Sequence, residues 1–362
     1  MTQVFASRTL AQSGAEPRDG HDRAVAVWLL VCAAMIFVMV LLGGITRLSG
    51  SGLSIMEWKP LMGTLPPMST AEWERVFALY REISQYKNVN HGMSLAEFQG
   101  IFWWEYSHRL WGRLIGIVFF LPFLWFLAKG YLRRAWASKL GAIFLLGALQ
   151  GGIGWYMVAS GFEDRDSVSQ YRLVLHLGLA LIIYALILWC AFDLLRPRPL
   201  AGNASVARPL RRHAIFLLVL IAIELALGGL VAGLHGGLIY NDFPFMNGDW
   251  IAPDVFSMSP WWVNPTENPV TAQFLHRIGA GLVTAALLWL VARVRRSDLP
   301  ETVKARSGIL LAALVLQVAL GISTLMLVVP LPLAVAHQGG AVILLTATLY
   351  TLHGLKRVGA AS

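Results

Sequence analysis

The sequence predicts an all-α integral membrane protein, whose eight transmembrane helices form two tandem four-helix bundles related by a pseudo-twofold axis along the membrane normal. Three observations predict this fold class. Apolar residues make up 57% of the 362-residue chain and charged residues only 14%, whereas soluble domains have ~45–50% and ~25%. Apolar runs long enough to cross the ~30 Å hydrocarbon core recur eight times. Residue patterns of the first half also reappear in the second half.

The eight apolar runs predict membrane-spanning helices of about 20 residues each. They lie at 24–44, 107–130, 138–158, 171–195, 213–235, 271–294, 307–329 and 333–355. The chain therefore divides into five consecutive parts. These are an N-terminal tail (1–23), an N-terminal four-helix half (24–195), a linker (196–212), a C-terminal four-helix half (213–355) and a C-terminal tail (356–362).

Basic residues predict the orientation of the chain in the membrane. If the N-terminal tail lies inside the cell, the inner segments carry about two-thirds of the 29 lysine and arginine residues, as the positive-inside rule requires. Both termini are then cytoplasmic. The same bias explains the net charge of +9, so nucleic-acid binding is not expected.

The long outer loops carry their own patterns. Apolar side chains recur on one face of residues 70–86, which predicts a helix lying at the membrane interface. Ser94 and Glu97 form a capping-box pattern that opens a helix running into the second span. The second outer loop, 236–270, is rich in tryptophan, which is typical of the headgroup region.

The two cysteines, Cys32 and Cys190, both lie inside predicted spans. This placement excludes a disulfide framework, a zinc ribbon and a cysteine-ligated iron–sulfur cluster.

The halves repeat particular residues at matching positions. A shift of 185 residues places Gly43, Gly44, Gly52 and Leu53 on Gly228, Gly229, Gly237 and Leu238. Somewhat smaller shifts match His108-Arg109 with His276-Arg277, Gly154 with Gly321, and His176 with His337. Since each half has an even number of spans, both halves insert with the same orientation.

Four of the nine histidines lie at one predicted depth, just below the outer surface. His108, His176, His276 and His337 each fall near the start of an even-numbered span. A lone histidine in a bundle is usually hydrogen-bonded packing, but two pairs related by a repeat favour metal ligands. Two imidazoles from facing helices are the axial ligands of a low-spin haem. Zinc usually needs further ligands and a di-iron site needs several carboxylates, so one haem is expected in each half.

Two arginines and one glutamate lie close to these histidines in the sequence, and they indicate different functions. Arg109 and Arg277 directly follow a ligand candidate; each either pairs with haem propionates or extends to the interface. Glu105 precedes His108 by one helical turn, and its counterpart Gln273 does not ionise. Chemistry is therefore expected in the N-terminal half, where a carboxylate can take a proton or stabilise positive charge. A first-turn acid favoured by the helix dipole is the alternative.

Glu224 stands in the middle of the fifth span, where an unpaired charge is costly. It is either hydrogen-bonded within the bundle or part of a proton path, and the sequence leaves both open. Gln150 and Gln317 are expected to hydrogen-bond between helices.

These residues resemble the haem A synthase family in its alphaproteobacterial and mitochondrial form. The resemblance covers nearly the whole chain after residue 24. It rests on GGITRLSGSGLSIMEWKPLMGTLPP at 43–67, FWWEYSHRLWGR at 102–113, VLHLGLA at 174–180, FLHRIGAG at 274–281 and AHQGGA at 336–341. Some bacterial members carry a cysteine pair in the first outer loop, which this chain lacks. It therefore resembles the branch without those cysteines.

The resemblance implies an oxidoreductase that converts the C8 methyl of haem O to a formyl group. The product is haem A for cytochrome oxidase, with oxygen from water and electrons passing to a membrane acceptor. His276 and His337 would hold a haem b that relays electrons, and His108 and His176 would hold the substrate haem. Glu105 would be the essential acid.

The resemblance also implies a location and partners. The protein would lie in a bacterial inner membrane, with its haem sites near the periplasmic face. Haem O synthase and cytochrome oxidase assembly factors are the expected partners, and a homo-oligomer is compatible with the family.

Two other functions are considered from the residues. A di-haem cytochrome b that passes electrons from quinol would use the four histidines but leave Glu105 without a role. A transporter built on a parallel repeat would need polar sites at the membrane midplane. Deep polar residues are few, so this function is disfavoured.

Overall fold

The computed structural model describes residues 19–57, 64–162, 166–195 and 199–359. Eight helices in these ranges are long and apolar enough to cross a membrane, which confirms the predicted number of spans and a multi-pass membrane protein. They are α1 (Asp19–Leu48), α4 (Leu95–Ala128), α5 (Arg134–Ala159), α6 (Gln170–Leu195), α7 (Ala204–Gly233), α9 (Pro269–Arg295), α10 (Glu301–Met326) and α11 (Leu331–Lys356). Tail residues 1–18 and 360–362 and linker residues 196–198 lie outside the described ranges.

Side-chain caps extend two of these helices beyond the apolar runs. Ser94 and Glu97 form a capping box that starts α4 well before the apolar run at 107, as predicted. Helix α7 begins at Ala204 and not near 213, because the side chain of Asn203 accepts a hydrogen bond from the backbone N–H of Ser205 at 2.9 Å. Part of the predicted linker is therefore helical.

The interfacial segment at 70–86 is broken, where the sequence pattern predicts one helix. Helix α2 (Thr70–Arg81) ends before a second short helix, α3 (Ser84–Asn88). The break turns Gln85 inward, where it accepts a hydrogen bond from the hydroxyl of Tyr80 at 2.9 Å and donates to the carbonyl of Gly50 at 3.1 Å. These bonds attach the segment to the chain just beyond the end of α1.

The second outer loop contains a four-residue helix, α8 (Asn264–Glu267), and two short 3-10 turns. The indoles of Trp250, Trp261 and Trp262 are largely exposed. Exposed indoles on an outer loop are suited to the headgroup region.

The two halves meet through α1 and α6 on one side and α7 and α11 on the other. Cys32, Ile187 and Leu217 are buried in the shared apolar core. Beside the linker between the halves, Leu200–Ala201 (β1) pairs in parallel with Val358–Gly359 (β2). This arrangement is consistent with two tandem four-helix bundles.

Candidate haem-binding sites

Four helices carry the predicted histidine ligands. His108 lies on α4, His176 on α6, His276 on α9 and His337 on α11. The imidazole centres of His276 and His337 lie 6.4 Å apart with their planes at 83°. A ligating imidazole nitrogen lies about 2 Å from its metal ion, so two rings on opposite sides of one iron have centres about 6 Å apart. This pair therefore has the spacing of two axial haem ligands.

The N-terminal pair also lies in one neighbourhood. His108 is half-buried and lies close enough to His176 for the two imidazoles to interact electrostatically. The amide nitrogen of Gln150 on α5 lies 3.1 Å from Nδ1 of His176 and donates to the backbone carbonyl of the same residue at 2.9 Å. The residue expected to join helices thus also orients a ligand candidate.

Glycines on α1 and α7 provide the space for two of these imidazoles. A Cβ atom added to Gly43 would lie 3.2 Å from Cε1 of His108. A Cβ at Gly228 would lie equally close to Cε1 of His276. Both distances are shorter than the ~3.5–4.0 Å of ordinary carbon contacts, so a larger side chain would push on the ring.

Glycines on α5 and α10 do the same for the other two imidazoles. A Cβ at Gly154 would lie 2.9 Å from Cε1 of His176, and a Cβ at Gly321 would lie 2.8 Å from Cε1 of His337. We call these four glycines (Gly43, Gly154, Gly228 and Gly321) the glycine seats. They occupy matching positions in the two halves of the sequence, but the sequence pattern alone assigned them no function. The feature of the sequence that could have revealed this function is that glycine occupies equivalent positions in both halves.

Small residues that follow the histidines divide into two groups. Next to Gly116 and Gly178 the structure leaves open space, which a macrocycle could use. Gly339, in contrast, packs against Leu41 and Phe37 of α1. Close helix packing therefore explains some of these small residues.

Glu105 is fixed by hydrogen bonds where the N-terminal site meets the loop after α1. Its side chain is buried, with the whole residue 3% exposed. Oε2 accepts from the hydroxyl of Ser54 at 2.8 Å and from the backbone N–H of Ile55 at 2.9 Å. Oε1 accepts from Nε and Nη2 of Arg109 at 3.0 and 2.6 Å. The carboxylate thus joins α4 to the outer loop after α1.

Gln273 occupies the equivalent position with the opposite hydrogen-bond polarity. Its amide nitrogen donates to the carbonyls of Gly236, at 2.9 Å, and Ile239. Its Oε1 accepts from Nη2 of Arg277 at 3.1 Å. The first loop presents donors to a carboxylate, whereas the second presents acceptors to an amide. The loop of each half therefore provides the hydrogen-bonding groups that its own side chain needs, a carboxylate in the first half and an amide in the second.

Both predicted arginines bind the loops. Nη2 of Arg109 donates to the carbonyl of Ile55 at 2.7 Å and Nη1 to that of Glu57 at 3.1 Å. Arg277 donates to the carbonyls of Tyr240 and Phe245, each at 2.7 Å. Ile55 and Tyr240 are related by the 185-residue shift, so the repeat extends to individual hydrogen bonds.

Acids at equivalent loop positions stabilise the loops in different ways. Glu57 accepts a hydrogen bond from Nη2 of Arg75 on α2 at 2.9 Å. Asp242 accepts from the backbone N–H groups of Asn247 at 2.9 Å and Gly248 at 3.0 Å. These backbone bonds lower the pKa of Asp242 below its ordinary value of 3.8. The second loop is thus closed by a half-buried carboxylate.

Glu224 contacts a ligand candidate, which the sequence did not predict. Its Oε1 lies 2.8 Å from Nδ1 of His276. A Cβ at Gly279 would collide with the other carboxylate oxygen, so this glycine makes room for the acid. Glu224 is therefore part of the C-terminal histidine site.

Comparisons with known proteins cover almost the whole chain. Residues 26–349 match the family described as cytochrome oxidase assembly protein. A haem A synthase of Nitrosospira multiformis is 51% identical over 358 residues, covering 98% of this chain and 99% of the relative. Another from Nitrosomonas eutropha is 48% identical over 356 residues, covering 98% and 100%. One from Rhodospirillum centenum is 48% identical over 344 residues, covering 95% and 91%. With matches that span both halves and all four histidines, the chain belongs to the haem A synthase family.

Proposed function

We propose that the protein is a haem A synthase of the bacterial inner membrane, which oxidises the C8 methyl group of haem O to a formyl group. Its relatives at 48–51% identity carry that name. Converting a methyl group and one water molecule into a formyl group releases four electrons and four protons. The reaction therefore requires a membrane electron acceptor and a group that manages protons beside the methyl.

The two histidine pairs have different tasks in this proposal. His108 and His176 hold the substrate haem, while His276 and His337 hold haem b. When bound, haem b supplies the one-electron chemistry that relays electrons from the substrate. The 6.4 Å spacing of the second pair and the glycine seats in both halves support two haem positions.

The observation that carries the proposal is Glu105, a carboxylate in one half whose counterpart Gln273 does not ionise. Four hydrogen bonds hold Glu105 one helical turn from His108. A fixed carboxylate at this position can take a proton from the attacking water, or stabilise positive charge that develops at the methyl carbon. An electron-carrying haem would need neither, so Glu105 marks the half in which the methyl is oxidised.

The arginines differ in their capacity to bind propionates. Nε of Arg277 is buried, with no hydrogen-bond partner among the described residues, and this donor is available to a propionate of haem b. Nε, Nη1 and Nη2 of Arg109 each donate to protein oxygens. Arg109 thus orients Glu105 and the first outer loop, and a propionate would share its donors.

The proposed orientation places both termini in the cytoplasm and both haem sites near the periplasmic face, following the basic residues of the loops. Haem O reaches the N-terminal half from haem O synthase in the same membrane. Haem A leaves towards cytochrome oxidase and its assembly factors.

Glu105→Gln tests the proposal. General acid–base catalysis contributes about 10²–10⁴-fold, so haem A formation, measured by chromatography of extracted haems, should fall about that much while haem O stays bound. Glu97→Gln is the matched control, because it lies on the same helix and glutamine preserves its capping box. Its activity should equal wild type.

The main alternative gives a different result. A di-haem cytochrome b would transfer electrons from quinol equally well with glutamine at position 105, and would form no haem A. Wild-type turnover in Glu105→Gln would therefore overturn the assignment of Glu105 and favour the electron carrier.

A further inference from the structure

The carboxylate of Glu224 and the imidazole of His276 form a pair inside the C-terminal half. Oε1 of Glu224 lies 2.8 Å from Nδ1 of His276, and the side chains are 16% and 25% exposed. Cε1 of the same ring rests on Gly228. Since one nitrogen faces the acid and the ring is confined by glycine, Nε2 is the nitrogen left to face a metal.

The described residues of the N-terminal half form no such pair. Met39 takes the position equivalent to Glu224 at a shift of 185 residues. Among the described residues, no carboxylate oxygen lies within ion-pair distance of a ring nitrogen of His108, in contrast to the 2.8 Å approach of Glu224 to His276. Nδ1 of His176 faces the amide nitrogen of Gln150 at 3.1 Å, and an amide nitrogen is a donor. In the described part of the chain, the carboxylate contact is thus confined to the C-terminal site.

We propose that Glu224, whose carboxylate already lies beside Nδ1 of His276, is a positioning residue that accepts a hydrogen bond from this Nδ1–H once haem is bound, strengthens the imidazole as an iron ligand and lowers the reduction potential of that haem. The inference rests on the proposed assignment of His276 and His337 to haem b. It extends that assignment by explaining how one half retains its haem while the other releases its product.

General chemistry of histidine ligands supports this role. A carboxylate that accepts the second ring N–H fixes the tautomer and ring orientation and raises ligand basicity, and its loss typically costs 10–100-fold in metal affinity. A more basic ligand and a nearby negative charge both favour the ferric state. On this proposal, His108 and His176 are the weaker ligands because no described carboxylate lies beside them, which suits a haem that must leave after oxidation.

Redox titration of the full-length protein, purified with haem b alone from cells without a haem O supply, tests the inference. In Glu224→Gln the ferric state should lose about tenfold in stability relative to the ferrous state, which raises the midpoint potential by about 59 mV. Haem b should also dissociate about 10–100-fold faster into an excess of an apo-haem acceptor protein. Asp193→Asn is the matched control: it removes a carboxylate 3.0 Å from His353, which is no ligand candidate, and should change neither value.

Glu224→Asp is the second variant, in case glutamine prevents folding. Its shorter side chain retains the charge but not the contact with His276. Both the midpoint potential and the haem dissociation rate should therefore rise relative to wild type, as in Glu224→Gln. Unchanged potential and dissociation in the folded variants would overturn the role of Glu224. Failure of the underlying haem assignment looks different, because His276→Ala would then retain haem b with a wild-type spectrum.

Discussion

Replacing Gly154 by alanine should displace the imidazole of His176 and empty the substrate site. The new Cβ would lie 2.9 Å from Cε1 of His176, whereas carbon atoms pack at ~3.5–4.0 Å, so the ring must move by about 0.6 Å or more. Metal–ligand distances tolerate only about ±0.2 Å. The displacement therefore exceeds what iron ligation allows.

The structure supplies a control on the same helix. Gly147 on α5 has no atom within 4 Å of its missing Cβ, so Gly147→Ala should leave the ligand in place. Alanine in a helix interior is favoured over glycine by about 0.5–1 kcal/mol, and both variants should keep α5 folded. A loss of haem in Gly154→Ala would thus reflect ligand geometry.

The assay is haem content and the low-spin optical and EPR spectra of protein purified with a haem O supply. Gly154→Ala should lose the haem of the N-terminal half and keep haem b. Gly321→Ala, which brings a Cβ to 2.8 Å from Cε1 of His337, should do the reverse. Equal haem content and spectra in Gly154→Ala and Gly147→Ala would refute the reasoning.

Two further predictions concern the frame around the sites. His353→Ala should lower the free energy of unfolding by about 1–3 kcal/mol. The substitution removes a fully buried ring and its 3.0 Å contact with Asp193, which joins α11 to α6. Thermal unfolding in detergent measures the loss. Asp193→Asn retains an acceptor and should cost less, and a melting temperature of His353→Ala equal to wild type would contradict the prediction. The second prediction concerns pH. Because folding lowers the pKa of Asp242, the ionised carboxylate stabilises the loop fully above pH ~4. This stabilisation is lost as the pH falls through the lowered pKa. Hydrogen exchange at Asn247 and Gly248, corrected for intrinsic rates, should accelerate over that range in wild type; a similar pH dependence in Asp242→Asn would contradict it.

Apolar runs, basic loops and the internal repeat were sufficient to predict the eight spans, because the bilayer imposes both length and composition on a spanning helix. Helix ends were predicted less well. A side-chain cap by Asn203 starts α7 at Ala204, nine residues before the predicted start at residue 213. Hydropathy does not detect such a cap. The break before Ser84 depends on contacts of Gln85 with Tyr80 and Gly50, which no local pattern shows.

Contacts between helices account for the site features that the sequence left open. His108 and Glu105 share one helix, so their spacing was visible in the sequence. The approach of Glu224 to His276 joins α7 to α9, and the seating of His176 on Gly154 joins α6 to α5. Such contacts depend on how the helices rotate against one another, which periodicity alone does not determine.

Haem extraction and chromatography of the purified protein, expressed with and without a haem O supply, tests the central claim most directly. One resident and one substrate site predict haem b alone without that supply, joined by haem O or haem A when it is present. Haem b alone under both conditions would contradict the substrate site and favour an electron-transfer cytochrome. Protein without any haem would contradict the ligand role of all four histidines.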